Sequence, residues 1–278
     1  MYDLLKKIYY LNEDLFKNYL KRKTPNPKTG LSDYEKNRIL KYPKLQAGET
    51  TLFEKPFSFS DNAGFLHSLE EIFETEIYKF QTQDEIPYII DCGANFGLSI
   101  LYFKKLYPNA KIIAFEPDKK IFETLKKNIQ YFPNHEDIEI HETAVWTEDS
   151  QLKFYADGSL AGSIVTDYSE KNLVEIIEAV DLKKYLTRKI SFLKIDIEGA
   201  ENKVIFDIAP HLHFVDKLFL EFHGLKNERQ NLDKILSLLT SCGFEYYIRL
   251  AGDTMRFPFC NETPKAFNQQ LNILCFRK

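Results

Sequence analysis

The stretch YIIDCGANFGLSILYFKKLYPNAKIIAFEPD, residues 88–118, predicts the fold of the central part of the chain. It begins with an apolar run that ends in Asp91 and then turns through the small residues 93–97. Apolar residues at helical spacing follow up to Pro108, and a second apolar run ends in Glu116. Strand, turn, helix and strand in this order form one βαβ unit, which is typical of a parallel sheet covered by helices.

The turn between the first strand and the helix has the residue types of a loop that contacts a ligand. Gly93 and Gly97 carry no Cβ where a ligand would lie against the backbone, and Asn95 tolerates a positive φ. Glu116 follows Gly97 by nineteen residues at the end of the next strand, where an acid can accept both hydroxyls of a ribose. Asp91 can face the ammonium group of an amino acid. S-adenosylmethionine, which is both a nucleoside and an amino acid, fits this pattern.

Two other interpretations of the turn compete with a methyl-donor site. A dinucleotide fingerprint requires glycines at positions 95 and 98, where this chain has Asn95 and Leu98, so an NAD-dependent dehydrogenase is disfavoured. A non-catalytic module that binds a nucleoside as a scaffold or sensor is the second alternative. The presence of acids at several strand ends favours an enzyme over such a module.

Composition restricts the class of protein. The chain has 278 residues, 44% of them hydrophobic, and a formal net charge of −4, which argues against a nucleic-acid-binding surface. No apolar run approaches the length of a transmembrane helix. We therefore expect a soluble, cytoplasmic protein. The cysteines also favour a reducing compartment, because they are far apart and include no CxxC pair: Cys92, Cys242, Cys260 and Cys275.

The first 47 residues differ in character from the rest. Residues 3–22 have apolar side chains at helical spacing and lysines elsewhere, which predicts an amphipathic helix. Docking of this helix on its own domain or on a second copy, as in a homodimer, is favoured over docking on a membrane surface. Residues 24–47 are rich in Pro, Lys, Asn and Gly, as in a linker. The sequence thus predicts a boundary near Ala47 and a catalytic domain over residues 48–278.

The pattern after residue 118 predicts further core strands and two extra strands, at residues 151–155 and 173–180. A third strand is expected from Ile138 to Val145, with Thr143 and Ala144 where an adenine edge could reach them. The other expected strands lie at residues 151–155, 173–180, 190–196, 217–222, 244–250 and 271–276, the last two as an antiparallel pair.

The region from about Pro87 to His223 closely resembles the FkbM-type family of S-adenosylmethionine-dependent methyltransferases. The resemblance rests on four phrases in the family's order and spacing: DCGANFGLS, AFEPD, LKIDIEGAE and LEFH. It implies an α/β, Rossmann-like class I methyltransferase fold with a mostly parallel seven-stranded sheet and an antiparallel last strand. It also implies O-methylation of a hydroxyl on a sugar, a glycan or a secondary metabolite.

The resemblance assigns expected roles to individual residues. Gly93, Asn95 and Gly97 correspond to the cofactor turn, and Glu116 corresponds to the ribose-binding acid. The positions around the reaction centre are Asp196, Glu221 and His223. A histidine beside a carboxylate suits a general base, so we expect His223 to deprotonate the hydroxyl. As alternatives, the three residues bind a divalent ion, which we do not predict, or they have a purely structural role, in which Asp196 and Glu198 cap the helix that starts near Ala200.

Overall fold

The computed structural model describes residues 22–155, 174–226, 228–252, 254–260 and 267–277. It comprises two compact units, Met1–Ile77 and Tyr78–Lys278. The predicted helix over residues 3–22 lies outside the described residues except for its last position. None of the helices in the described ranges is long and apolar enough to cross a membrane.

The described part of the N-terminal unit is a β-hairpin with two short helices. Its elements are α1 (Asp33–Ile39), β1 (Gly48–Leu52), β2 (Lys55–Phe59) and α2 (Asn62–Leu69). The Asp61 carboxylate accepts hydrogen bonds from the first amides of α2 and so fixes where this helix begins. The ring of Phe59 stacks on Phe65 of α2, with the centroids 4.6 Å apart, and both rings are buried.

The boundary between the units lies thirty residues beyond the one predicted near Ala47. The physical reason is that residues after Ala47 bond to residues before it. Thr50 donates a hydrogen bond to the Glu35 carboxylate at 2.9 Å, and the Asn62 amide donates to the carbonyl of Ile39 at 3.3 Å. The assignment of residues 48–278 to one catalytic domain stays a prediction.

The second unit is built on a seven-stranded sheet. Its strands are β3 (Tyr88–Cys92), β4 (Lys111–Phe115), β5 (Ile138–His141), β9 (Phe192–Ile195), β10 (Lys217–Leu225), β11 (Glu245–Gly252) and β12 (Phe267–Phe276), in the spatial order β11-β12-β10-β9-β3-β4-β5. In this spatial order, the neighbouring strands β10, β9, β3, β4 and β5 are parallel to one another. Strand β12 runs antiparallel to both β10 and β11. The mostly parallel sheet with an antiparallel last strand is confirmed.

Helices follow the strands as the hydrophobic pattern predicts. They are α3 (Leu98–Leu106), α4 (Lys119–Ile129), α5 (Glu201–Asp207) and α6 (Leu232–Ser241). The core lies where these helices meet the sheet, and Ile90, Leu193 and Leu220 on three adjacent strands are fully buried. The five neighbouring strands β10, β9, β3, β4 and β5 are parallel. Their carboxyl ends therefore lie along one edge of the sheet, where ligands of open α/β sheets bind.

The predicted third strand is two strands. Residues 138–141 form β5 of the main sheet, and the chain then leaves it to form β6 (Ala144–Trp146). Together with β7 (Ser150–Tyr155) and β8 (Val174–Asp181), β6 makes a separate three-stranded sheet in the order β6-β8-β7. Thr143 therefore lies at the point where the chain passes from one sheet to the other.

Candidate functional site

The turn after β3, residues 93–97 and here called the glycine turn, is attached to the next strand by hydrogen bonds. The amides of Gly93 and Ala94 donate to the carbonyl of Phe115 at 3.1 and 2.9 Å. Asn95 has a φ of 49°, and its amide donates to Glu116 Oε2 at 3.0 Å. The positive φ expected at Asn95 is thus present, and it aims this amide at the acid that ends β4.

Both glycines of the turn are required by contacts within the protein. Gly93 has a φ of 98°, and an added Cβ would lie 2.0 Å from the carbonyl oxygen of Asp196. Gly97 has a φ of 95°, and its Cβ would lie 2.8 Å from Leu125 Cδ1 on α4. The sequence interpretation gave this space to a ligand. In the structure, the backbone after β9 and the side chains of α4 fill it.

Glu116 lies at the end of β4 with 6% of its surface exposed. Its Oε2 accepts from the Asn95 amide, and its Oε1 accepts from the Asp118 amide at 2.8 Å. Burial raises the pKa of Glu116 to about 8, although these backbone donors act in the opposite direction. Each carboxylate oxygen has a second lone pair that remains able to accept another hydrogen bond.

Asp91 has an ammonium partner within the chain. It is fully buried, accepts a hydrogen bond from Ser99 Oγ at 2.5 Å, and has its Oδ1 3.2 Å from Lys194 Nζ. The sequence predicts that Asp91 faces the ammonium group of a ligand. In the structure, Lys194 supplies an ammonium group to Asp91 and so competes with a ligand for this contact. Sequence reasoning missed Lys194. Its signal is a lysine within the apolar strand β9, in register with Asp91 on β3.

Thr143 and Ala144 lie beside the end of β5. Ala144 is 5% exposed, and Thr143 Oγ1 is buried without a hydrogen-bond partner. A buried hydroxyl without a partner is costly, so it is a group that a polar ligand atom can satisfy. The imidazole of His141, two residues earlier, stacks on Phe115 with the centroids 5.1 Å apart.

Asp196, Glu221 and His223 come together at the ends of β9 and β10, and we call them the β9–β10 cluster. One potential ligand atom from each residue lies within 4.8 Å of the others. His223 is fully buried, and its Nε2 is 3.6 Å from Glu221 Oε1. Glu221 and His223 are two residues apart on β10, so their side chains are expected on the same face of the strand.

Two further carboxylates, to which the sequence interpretation gave no role at the reaction centre, surround His223. Glu201 Oε1 lies 3.0 Å from His223 Nδ1 and accepts from the His223 amide at 2.8 Å. Glu198 Oε2 lies 3.6 Å from Nε2. Burial by itself would lower the pKa of His223, but the charges of Glu201 and Glu198 raise it well above its usual value. Burial raises the pKa of Glu198 to about 8, with the charge of His223 acting against it.

The structural alternative for Asp196 and Glu198 was helix capping. Helix α5 begins at Glu201, and its N-cap residue Ala200 makes no side-chain hydrogen bond. Instead, Glu201 Oε2 accepts from the amide of Gly199 at 2.8 Å. The Asp196 Oδ2 atom lies 3.2 Å from Lys194 Nζ, so this carboxylate pairs with a lysine.

Comparison with known protein families identifies the family to which this chain belongs. The model of the Methyltransferase FkbM domain matches residues 91–246, which is more than half of the chain and includes both the glycine turn and the β9–β10 cluster. The chain belongs to the FkbM methyltransferase family. It is an S-adenosylmethionine-dependent methyltransferase.

Two curated fungal methyltransferases are similar to this FkbM methyltransferase. "Methyltransferase sdnD" of Sordaria araneosa is 29% identical over an alignment of 210 residues, and the match covers 60% of this chain and 78% of the relative. "Methyltransferase 1" of Beauveria bassiana is 27% identical over an alignment of 206 residues, and the match covers 65% of this chain and 80% of the relative. Among solved structures, methyltransferase FkbM from Methylobacillus flagellatus is 15% identical with a TM-score of 0.44, and covers 70% of this chain and 45% of its own.

The electrostatics of the FkbM site set a condition on the predicted base. A general base must have a lone pair at the atom that takes the proton. The raised pKa of His223 favours the protonated ring, with Glu201 at Nδ1 and Glu198 and Glu221 near Nε2. The base role of His223 stays a prediction, and it requires that Nε2 be without a proton when the acceptor is present.

Proposed function

We propose that this FkbM methyltransferase methylates a hydroxyl of a sugar, a glycan or a secondary metabolite. The observation that carries the proposal is the β9–β10 cluster, whose carboxylates and imidazole converge at the ligand-binding edge of the sheet. A neutral hydroxyl is a poor nucleophile, so its methylation needs a group that removes or acidifies its proton. Asp196 has a partly exposed side chain and is the member of the cluster that an acceptor can reach most easily.

The residues near the glycine turn fit S-adenosylmethionine. The molecule supplies, when bound, a methyl group on a positively charged sulfur. Glu116 would accept the ribose hydroxyls through its remaining lone pairs, and Thr143 Oγ1, a buried hydroxyl without a partner, would meet a polar edge of the adenine beside Ala144. The turn itself, held by Gly93, Asn95 and Gly97, would present backbone to the methionine part. Asp91 would act on the turn through Lys194 and Ser99.

Two versions of the acceptor chemistry follow from the β9–β10 cluster. In the first, His223 takes the hydroxyl proton and Asp196 and Glu221 orient the acceptor. In the second, the three side chains would hold a divalent ion, which would acidify the hydroxyl, since carboxylate oxygens and an imidazole nitrogen suit Mg, Mn or Zn. The contact of Glu201 with His223 Nδ1 fits both versions, because a base and a metal-ligating histidine alike usually give their other ring nitrogen to a carboxylate.

A labelled-methyl screen tests the function. Purified protein is incubated with S-adenosylmethionine carrying a labelled methyl group and with panels of sugars, nucleotide sugars, glycans and hydroxylated metabolites. We expect label in an ether that resists mild base, which distinguishes it from a methyl ester. Label found only on nitrogen, carbon or carboxylate acceptors would contradict the proposal of O-methylation of a hydroxyl.

The dependence of turnover on a divalent metal ion distinguishes the two versions of the acceptor chemistry. Turnover that survives EDTA treatment supports the base. Loss of turnover with EDTA and recovery with Mg²⁺ or Mn²⁺ supports the ion, and direct binding of Mn²⁺, measured by electron paramagnetic resonance, should then disappear in Glu221→Gln but persist in Glu123→Gln. Glu123 is an exposed acid on α4 and serves as the matched control.

The setting of the enzyme also belongs to the proposal. We propose a small-molecule or glycan acceptor, a homodimer arranged through the N-terminal residues, and action in the cytoplasm. The four cysteines support a reducing compartment, since all are free and Cys92 and Cys275 are buried. Size-exclusion chromatography with light scattering tests the dimer.

A further inference from the structure

Lys194 is a buried lysine that contacts both the glycine turn and the β9–β10 cluster. It is 2% exposed, and its Nζ donates to the carbonyl of Gly93 at 2.8 Å. The same nitrogen lies 3.2 Å from Asp91 Oδ1 and 3.2 Å from Asp196 Oδ2. The Gly93 carbonyl accepts a hydrogen bond from this ammonium group, and the carboxylates of Asp91 and Asp196 form ion pairs with it.

The partners of Lys194 belong to two strand ends that touch. Gly93 starts the glycine turn after β3, and Asp196 follows β9 and belongs to the β9–β10 cluster. The Asp196 amide donates to the carbonyl of Cys92 at 3.1 Å, and the Asp196 carbonyl fills the position where a Gly93 side chain would be. A shift of one strand end therefore displaces the other, and Lys194 is bound to both.

A purely structural role explains only part of this arrangement. Asp91 is fully buried and needs a cation, because an unpaired buried charge is strongly destabilising. One contact with Asp91 would meet that need. The two additional contacts lead to a backbone carbonyl of the glycine turn and to a carboxylate whose side chain is 25% exposed.

We infer that Lys194 is a positioning residue, which fixes the glycine turn for the methyl donor and holds Asp196 at a set distance from that turn. Being buried, it touches neither the donor nor the acceptor. The first half of the inference concerns S-adenosylmethionine alone. The second half rests on the proposed function, because it gives Asp196 a role toward the acceptor hydroxyl.

A double-mutant cycle on the Lys194 and Asp91 pair separates positioning from charge balance. Lys194→Met keeps an unbranched side chain of similar length without the charge, and Asp91→Asn removes the charge that it balances. Each single variant and the double variant are measured by urea unfolding and by calorimetric titration with S-adenosylmethionine, which gives the dissociation constant and the stoichiometry. Lys104→Met is the matched control, since Lys104 is also fully buried but donates to the carbonyls of Pro108 and Ala110.

We expect Lys194→Met to weaken S-adenosylmethionine binding at least tenfold in the folded fraction. The double variant should regain unfolding stability, because no unpaired charge is left in the pair, but it should not regain affinity. Lys104→Met should lose stability and keep the wild-type dissociation constant. If Lys194→Met fails to fold, the double variant carries the same test.

Two results would overturn the inference. Lys194 would be only a counter-ion if Lys194→Met bound S-adenosylmethionine with the wild-type dissociation constant and reduced stoichiometry, or if the double variant recovered wild-type affinity. Turnover at saturating S-adenosylmethionine adds a second arm, in which we expect Lys194→Met and Asp196→Asn to be non-additive. Absence of wild-type turnover on every hydroxyl acceptor would contradict the proposed function, whereas the calorimetric arm would still decide the role of Lys194.

Discussion

Glu116 should make nucleoside binding depend on pH. The free protein holds a proton on this carboxyl below a pKa of about 8, because the group is buried. Ribose hydroxyls donate hydrogen bonds, so the ionised carboxylate is the form that accepts both of them. Binding therefore expels the proton, and affinity rises with pH until the carboxyl is ionised in the free protein.

The size of the effect follows from the ionised fraction. With a pKa of about 8, roughly 1% of Glu116 is ionised at pH 6 and about 75% at pH 8.5, so affinity should increase by up to roughly 75-fold over this range, the upper bound being reached if the protonated form does not bind. Replacing the carboxylate by an amide in Glu116→Gln should weaken binding at pH 8.5 by about 1.5 to 3 kcal/mol, the usual contribution of hydrogen bonds to a charged group. That variant should also lose the pH dependence.

The assay is calorimetric titration with 5′-methylthioadenosine between pH 6 and 8.5. This ligand keeps the adenine and the ribose but has no ammonium group, so its own titration does not contribute. Glu123→Gln, an exposed acid on α4, is the matched control and should follow the wild-type profile. A dissociation constant that is constant over this range, or a Glu116→Gln variant with the wild-type pH dependence, would refute the assignment of Glu116 to the ribose.

Three other predictions concern the turn, the β9–β10 cluster and the N-terminal unit. Gly97→Ala should lower the free energy of unfolding by about 1 to 2 kcal/mol, the cost of a left-handed backbone, because the facing Leu125 side chain can move. Gly93→Ala should lower it more, because the new Cβ meets a backbone oxygen at 2.0 Å. Urea unfolding checks this order, and the reverse order would contradict the reasoning. His223→Ala should lower turnover at least about 100-fold with unchanged S-adenosylmethionine affinity, and full activity would dispose of both the base and the metal ligand. Removal of residues 1–21 should leave S-adenosylmethionine affinity unchanged, whereas removal of residues 1–47 should lower the thermal midpoint of the N-terminal unit. Loss of cofactor affinity on removal of residues 1–21 would show that these residues cover the site.

The local pattern of the sequence was enough to predict the βαβ unit and the sheet. Apolar runs of strand length separated by helical spacing specify parallel strands, and the carboxyl ends of such strands must meet at one edge. For this reason Asp196, Glu221 and His223 could be expected together, although they come from two strands. The positive φ at Asn95 and the place of Glu116 after β4 followed from the same local rules.

The tertiary structure decided which groups surround each of these residues. Gly93 could be recognised as a turn residue, but only the approach of the Asp196 carbonyl shows what fills the space beside it. Asp91 could be recognised as a strand-end acid, but its pairing with Lys194 depends on the register between β3 and β9, which the sequence leaves open. The departure of the chain from the main sheet after His141 likewise depends on pairing with β8, far along the chain.

The charge state of His223 shows the same division between sequence and structure. The sequence establishes a histidine beside a carboxylate, which by itself predicts a base. Only the folded chain brings Glu198 and Glu201 against the buried ring, and their charges outweigh burial in setting its pKa. Electrostatic energies depend on distances between groups from different elements and on their removal from water, and neither quantity can be read from residue order alone.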